Sequence, residues 1–203
     1  RIISELARDN SVIAAVGPLT SEEAAVASAS LVCGDLPMIV PAATQAGLTG
    51  LSKSSFQLSP NIELEGVVMA DYAVRNLGAD TAAIITSTAA DYLRMTDAFT
   101  RRFKELGGTI IAVEYYRPRD RDFGPQVKDV KRELLGALPD SVNFISPGGD
   151  TLEIDAVPAH LDCLYLPGDA EQIKLLLPQI NFYSLNAFFL GSDGWADDRI
   201  YRL

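Results

Sequence analysis

Residues Val12 to Thr49, VIAAVGPLTSEEAAVASASLVCGDLPMIVPAATQAGLT, constrain the fold more than any other stretch. Val12 to Val16 is a short apolar run rich in β-branched residues and is stopped by Gly17-Pro18, the pattern of a strand buried on both faces. Thr20 to Val32 has the alanine-rich composition of a helix, and Thr20 with Glu23 gives the T-x-x-E spacing of a capping box. Gly34 ends that helix, and Pro37 to Val40 reads as a second buried strand that stops at Pro41. Two buried strands joined by one helix make a parallel βαβ unit with a right-handed crossover.

The same rhythm continues. Ile2, Ile3 and Leu6 recur at helical spacing, and Asp9-Asn10 closes that short helix. After a Gly- and Ser-rich loop from Gly47 to Ser55, Phe56 to Leu58 reads as a strand. Ser59-Pro60 then supplies an N-cap and first-turn proline for a helix running to about Asn76, with Gly78 as its stop. A lobe boundary is placed there, giving a partial first lobe over 1–76 and a second lobe over 77–203. In the second lobe, strands are expected at Thr81–Ile85, Thr109–Tyr115, Cys163–Leu166 and Phe188–Leu190. Helices are expected at Asp91–Leu106, Phe123–Leu135 and Ala170–Ile180. This alternation predicts an α/β fold with mostly parallel sheets and helices on both faces. Residues 136–160 break the rhythm with three prolines and a Gly-Gly pair, and read as an insertion: a surface excursion with a small hairpin, or a partner contact.

A net charge of −10 argues against nucleic acid or an anionic membrane surface as a partner. No stretch approaches the ~20 apolar residues that span a bilayer. Arg1 lies inside the first expected helix, so that start reads as a truncation and the lack of a signal peptide says nothing about compartment. Cys33 and Cys163 are too far apart in sequence for a disulfide framework and read as buried structural thiols.

In an open α/β sheet, ligands sit outside the carboxyl ends of the strands. Thr20 and Ser21 follow the first strand here and Thr44 the second. Thr20 and Ser21 either cap their own helix or present small hydroxyls and free helix N–H groups to an anion. Catalytic chemistry has no constellation to rest on. His160 is the single histidine and reads as a solvated loop residue, Arg117 to Asp122 reads as a solvated turn, and no nucleophile elbow, zinc motif or phosphate loop occurs. The D-x-x-x-D-D spacing of Asp193, Asp197 and Asp198 does not match a calcium loop. No enzyme activity, cofactor or metal is expected.

GPLTS followed by PMIVPAATQAGLT resembles the type I periplasmic binding proteins, in particular the branched-chain amino-acid-binding branch. Further matches follow in that family's order: FQLSP at 56–60, ADYAVRNLGAD at 70–80, ADYLRMTDAFTRRFKELGG at 90–108, DRDFGPQVKDVK at 120–131 and FFLGSDGW at 188–195. The resemblance implies two Rossmann-like lobes, here truncated at both ends, that close by hinge motion on a small amino-acid-like ligand. It implies that Ser21, Ala42 and Thr44 grip the ligand's carboxylate, that Asp193 pairs with its ammonium, and that Tyr92 packs over it. A family tyrosine falls on Asp169, and Glu22 and Glu23 sit beside the carboxylate site. These departures favour a ligand with extra positive charge, or none.

The implied role is the solute-binding component of an ABC transporter or a receptor module, outside the cytoplasm, with a permease as partner and any membrane attachment through a lipid anchor beyond this stretch. A second resemblance is open. HLDCLYLPGDAEQIKLLLPQINFYSLNAFFLGSDGW is similar to penicillin-binding protein activator lipoproteins, which implies a regulator of a cell-wall synthase acting through protein contacts.

Overall fold

The computed structural model describes residues 2–32, 34–136, 144–145, 151–152, 158–197 and 200. The chain divides into two compact units, Arg1–Leu64 and Glu65–Leu203.

The first unit carries helix α1 (Ile2–Leu6), strand β1 (Ala15–Val16), helix α2 (Ser21–Ser30), strand β2 (Met38–Val40), a 3-10 turn (Leu48–Gly50) and strand β3 (Ser55–Gln57). The three strands form a parallel sheet in the order β1-β2-β3. α2 lays Ala24, Ala27, Ser28 and Leu31 on that sheet, one face of a helix at i, i+3, i+4 and i+7, against Met38, Val40, Ala43 and Leu48. Ser55 Oγ donates to Ser28 Oγ at 2.9 Å, so the buried hydroxyl on the helix face has its partner.

The run Val12–Val16 departs from expectation. Only Ala15 and Val16 pair, and Ile13 and Val16 are 87% and 77% exposed. β1 is an edge strand that pairs with β2 alone among the described residues, so nothing described covers its outer side.

The second unit holds most of helix α3 (Ile62–Leu77), then β4 (Thr81–Ser87), α4 (Ala90–Glu105), β5 (Thr109–Tyr116), α5 (Gly124–Leu135), β6 (Phe144–Ile145), β7 (Thr151–Leu152), β8 (Ala159–Tyr165), α6 (Ala170–Phe182) and β9 (Leu185–Leu190). Its main sheet is parallel throughout, in the order β5-β4-β8-β9. Successive residues of β4 point to opposite faces, as a strand requires. Ala82 and Ile84 meet Ala70, Ala73, Phe99 and Phe103 from α3 and α4, while Ala83 and Ile85 meet Val127, Val130, Ile173 and Leu176 from α5 and α6. Phe99 stacks on Tyr165 at 4.3 Å between ring centroids. The Arg102 guanidinium binds both oxygens of Asp71, tying α4 to α3.

α3 starts later than Ser59-Pro60 suggested. Asn61 Oδ1 accepts from Leu64 N at 2.8 Å and caps the helix, while Ser59 Oγ donates to the Pro41 carbonyl at 2.7 Å. The division between units falls in the first turn of this helix, whereas the sequence put it near the helix's end; Ala70 and Ala73 belong to the second core.

His160 lies in β8 rather than in a loop, though it is exposed. Arg117 to Asp122 does turn, with Arg117 N donating to Asp120 Oδ2 at 2.8 Å. Within the 136–160 segment, β6 and β7 pair antiparallel as a small hairpin; most of the remainder lies outside the described residues, as does Cys33. Cys163 is a buried free thiol whose pKa burial pushes up to about 12. Among the described residues, no helix is long and apolar enough to cross a membrane.

Candidate functional site

Two groups of predicted residues gather at strand ends, one in each unit. In the first unit, Thr20 is the N-cap of α2. Its Oγ1 accepts from Glu23 N at 3.4 Å and donates to Glu23 Oε2 at 2.9 Å, so the expected capping pair forms with the carboxylate on the hydroxyl. Ser21, at the first helical position, has its Oγ accepting from both Thr44 N and Gln45 N at 3.3 Å. Two acceptances fill the oxygen's lone pairs and leave the Ser21 hydroxyl proton to donate outward. The same bonds use the Thr44 N–H internally, so of that residue's two donors only the hydroxyl stays available.

Three of the four carbonyls from Pro41 to Thr44 accept hydrogen bonds. Those of Pro41, Ala43 and Thr44 accept from Ser59 Oγ, Gln57 Nε2 and Ile62 N. Ala42 is exposed, and its carbonyl has no donor among the described residues. Ser21 O–H, Thr44 O–H and Ala42 C=O therefore form a small polar set, with the N-terminus of α2 beside it.

In the second unit the set is acidic. Asp169 is the N-cap of α6, its Oδ1 accepting from Gln172 N at 3.2 Å. Asp193 opens the 3-10 turn Asp193–Trp195; its Oδ1 accepts from Gly194 N at 2.8 Å, and its own N–H donates to Glu65 Oε2 at 3.2 Å. The loops after β8 and β9 are bound together: Trp195 Nε1 donates to the Leu166 carbonyl at 3.0 Å, and Ser192 Oγ bridges to Gly168. Gly194 sits so close to Gly168 that a Cβ there would overlap the Gly168 carbonyl oxygen. That approach draws the loops carrying Asp169 and Asp193 together.

Tyr92, in the first turn of α4, feels both. Its hydroxyl pKa is pushed up to about 12, first by burial and then by Asp169, Asp193, Asp91 and Glu65. Burial raises the Glu65 carboxyl as well, with the Asp193 N–H opposing and the Asp193 charge adding to the rise. Tyr92, Asp169 and Asp193 thus share one electrostatic patch.

A family model for periplasmic binding proteins matches residues 1–156. The chain belongs to the periplasmic binding protein family. The chain is 24% identical over 190 residues to a Leu/Ile/Val-binding protein of Rhizobium johnstonii, across 93% of its own length and 44% of the relative's. A Rhodospirillum rubrum chain assigned to branched-chain amino acid ABC transport superposes with a TM-score of 0.77 at 18% identity, covering 99% of this chain and 50% of that one. The branched-chain amino acid transporter substrate-binding protein of Streptococcus pneumoniae, solved with isoleucine, gives 0.60 at 23%, with 99% and 50% covered. The fold is that of the type I periplasmic binding proteins, and the chain spans about half the length of these relatives.

Sequence reasoning missed three residues in or beside the acidic patch. Glu65 sits in an ordinary-looking ELEG helix start, where nothing in the spacing separates it from a surface acid. Tyr116 and Tyr165 end β5 and β8, where an aromatic reads as core. Burial pushes both phenols above the ordinary tyrosine range, reinforced by Asp169 and Tyr92 at Tyr116 and by Glu65 and Asp193 at Tyr165.

Proposed function

We propose that this chain binds a small amino-acid-like ligand as part of an extracytoplasmic solute-binding protein whose closed form is read by an ABC permease or a receptor. The observation that carries the reading is the placement of Asp193, Glu65, Asp169 and Tyr92 at the carboxyl ends of a parallel sheet, where α/β folds take ligands. Carboxylates there suit an ammonium group. Ser21, Thr44 and Ala42 in the first unit suit a carboxylate and its neighbouring N–H, with the α2 N-terminus adding donors and a partial positive charge. Hinge closure would commit both sets to one ligand, its free energy coming from the difference in affinity between open and closed forms.

The relatives' names support a transport role, and any attachment to the membrane would lie in a lipid anchor outside this stretch. The synthase-regulator reading rested on the resemblance of residues 160–195, with the 136–160 insertion and the acids around the cleft in its favour, and the similar proteins named above do not support it.

The test is a thermal-shift panel of amino acids and small carboxylates against the protein, followed by Asp193→Ala. A ligand at about 100 times its Kd adds about 2.7 kcal/mol, a shift of several degrees for a chain of this size. Asp193→Ala should abolish the shift. A folded sample silent to the whole panel would overturn the reading, and undiminished affinity in the variant would remove Asp193 from the site.

A further inference from the structure

The carboxylates at the second unit's strand ends outnumber what one ammonium can balance. Glu65, Asp169 and Asp193 all act on Tyr92, and none of them forms an ion pair with a Lys or Arg among the described residues. Asp91, the fourth acid near Tyr92, lies 3.6 Å from Arg94 and is offset by it. Each carboxylate is also held in place by a main-chain N–H or next to one: Gln172 N on Asp169, Gly194 N on Asp193, and Asp193 N on Glu65. Asp169 and Asp193 are exposed, whereas Glu65 is partly buried and burial holds its carboxyl above the ordinary range, so a cation entering beside it offsets both the burial and its acidic neighbours.

A second, independent observation points the same way. Tyr116 and Tyr165 are 1% and 0% exposed, and their hydroxyls have no hydrogen-bond partner among the described residues. A Cβ on Gly168 would lie 2.6 Å from Tyr116 Oη, so that hydroxyl abuts the loop that carries Asp169. Tyr165 ends β8 on the side of Glu65 and Asp193. An orphaned buried hydroxyl is destabilising, because the hydrogen bonds it made to water are lost and not replaced. A phenol can accept from a ligand N–H while donating to a carboxylate, and this patch offers the carboxylates. Among the described residues no group of His, Cys, Asp or Glu is spaced to hold a metal ion, so the cation the patch suits is organic and rich in N–H donors.

We propose that the site takes a small molecule bearing two cationic nitrogen groups, one facing Asp193 and Glu65 and the other facing Asp169, with the Tyr116 and Tyr165 hydroxyls completing their hydrogen bonds. The inference rests on the ligand-binding reading above and narrows it to a chemical class shared by basic amino acids and diamines.

Calorimetric titration of the whole chain with L-lysine, L-arginine, putrescine and L-norleucine tests it, norleucine being the uncharged counterpart of the lysine side chain. At least one cationic probe should bind tenfold or more tightly than norleucine. Asp169→Asn keeps a good cap for α6 and should erase most of that advantage. Tyr116→Phe should weaken the cationic probe severalfold while leaving the melting temperature unchanged or raised, an outcome a merely structural tyrosine would not give. Norleucine binding as tightly as all three cations overturns the dication inference and leaves the binding-protein reading standing. No binding by any cationic probe also overturns it; silence across the wider amino-acid panel then takes both readings down. Lysine and arginine binding without putrescine identifies the basic amino acids, and putrescine alone identifies a diamine.

Discussion

The two units solve the same βαβ problem with different materials. In the first, strands of two or three residues leave little ladder, and much of the polar fastening is done by serine. Ser52 and Ser54 bond the Leu31 and Gly34 carbonyls, Ser59 bonds Pro41, and Ser21 holds two amides of the β2 loop. In the second, strands of six to eight residues are covered on both faces, and aromatic stacking anchors the sheet. The difference carries through to chemistry. Hydroxyls and main-chain groups line the strand ends of the first unit and suit an anion; carboxylates line those of the second and suit a cation.

The sharpest way to break this comparison is to truncate equivalent cores. Phe99→Ala should lower stability to urea by about 3–5 kcal/mol, because its ring is fully buried and stacked on both Phe103 and Tyr165. Leu31→Ala in the first unit should fall near the lower end for a buried leucine, about 2 kcal/mol, since a thin layer relaxes into the gap more easily. Equal losses would erase the distinction.

A smaller effect sharpens the second unit's side. Asp162 Oδ2 accepts from Asp80 N, Thr81 N and Thr81 Oγ1, clamping β8 to the start of β4. Those bonds, chiefly that from the Thr81 hydroxyl, hold the Asp162 carboxyl below the ordinary carboxylate range. A depressed carboxyl pKa stabilises the fold above its ordinary value, and that contribution is lost as pH falls through the depressed one. Asp162→Asn should be about 2 kcal/mol less stable at pH 7 and should lose less than the parent between pH 7 and pH 2. Parallel pH profiles for the two proteins would refute the clamp.

The smallest effect belongs to the first unit. Thr20→Ala removes the α2 cap and should be destabilising by about 1 kcal/mol in the same urea melts. A loss near zero would show that Glu23 alone secures that helix start.

The fold was legible where one signal dominated. β4 reads TAAIITS, and its near-continuous apolar run could only be a strand covered on both sides; α4 carries its buried face at helical spacing and ends at Gly107. Val12–Val16 carries the same local signal, yet burial of a strand depends on what lies beside it, which a run of five residues does not encode. Ser59-Pro60 misplaced the α3 start for a related reason. The hydroxyl that could have capped the helix is bonded to Pro41, eighteen positions back, and Asn61 takes the role.

At the candidate site, Tyr92, Asp169 and Asp193 were named through resemblance, since Asp in a Ser-Asp-Gly turn and Asp at a helix start have ordinary local uses. Glu65 was invisible. It reaches the patch only because the β9 loop folds back and offers it the Asp193 amide, a contact across 128 positions of sequence.

Trp195 is the chain's one tryptophan, and it lies two residues from Asp193 with its indole N–H fastened to the Leu166 carbonyl. Anything that settles against Asp193 therefore changes the surroundings of the sole indole. Excited to the red of the seven tyrosines, its emission would report occupancy without a label, so arrival and departure of a ligand at Asp193 could be followed in real time on the unmodified protein.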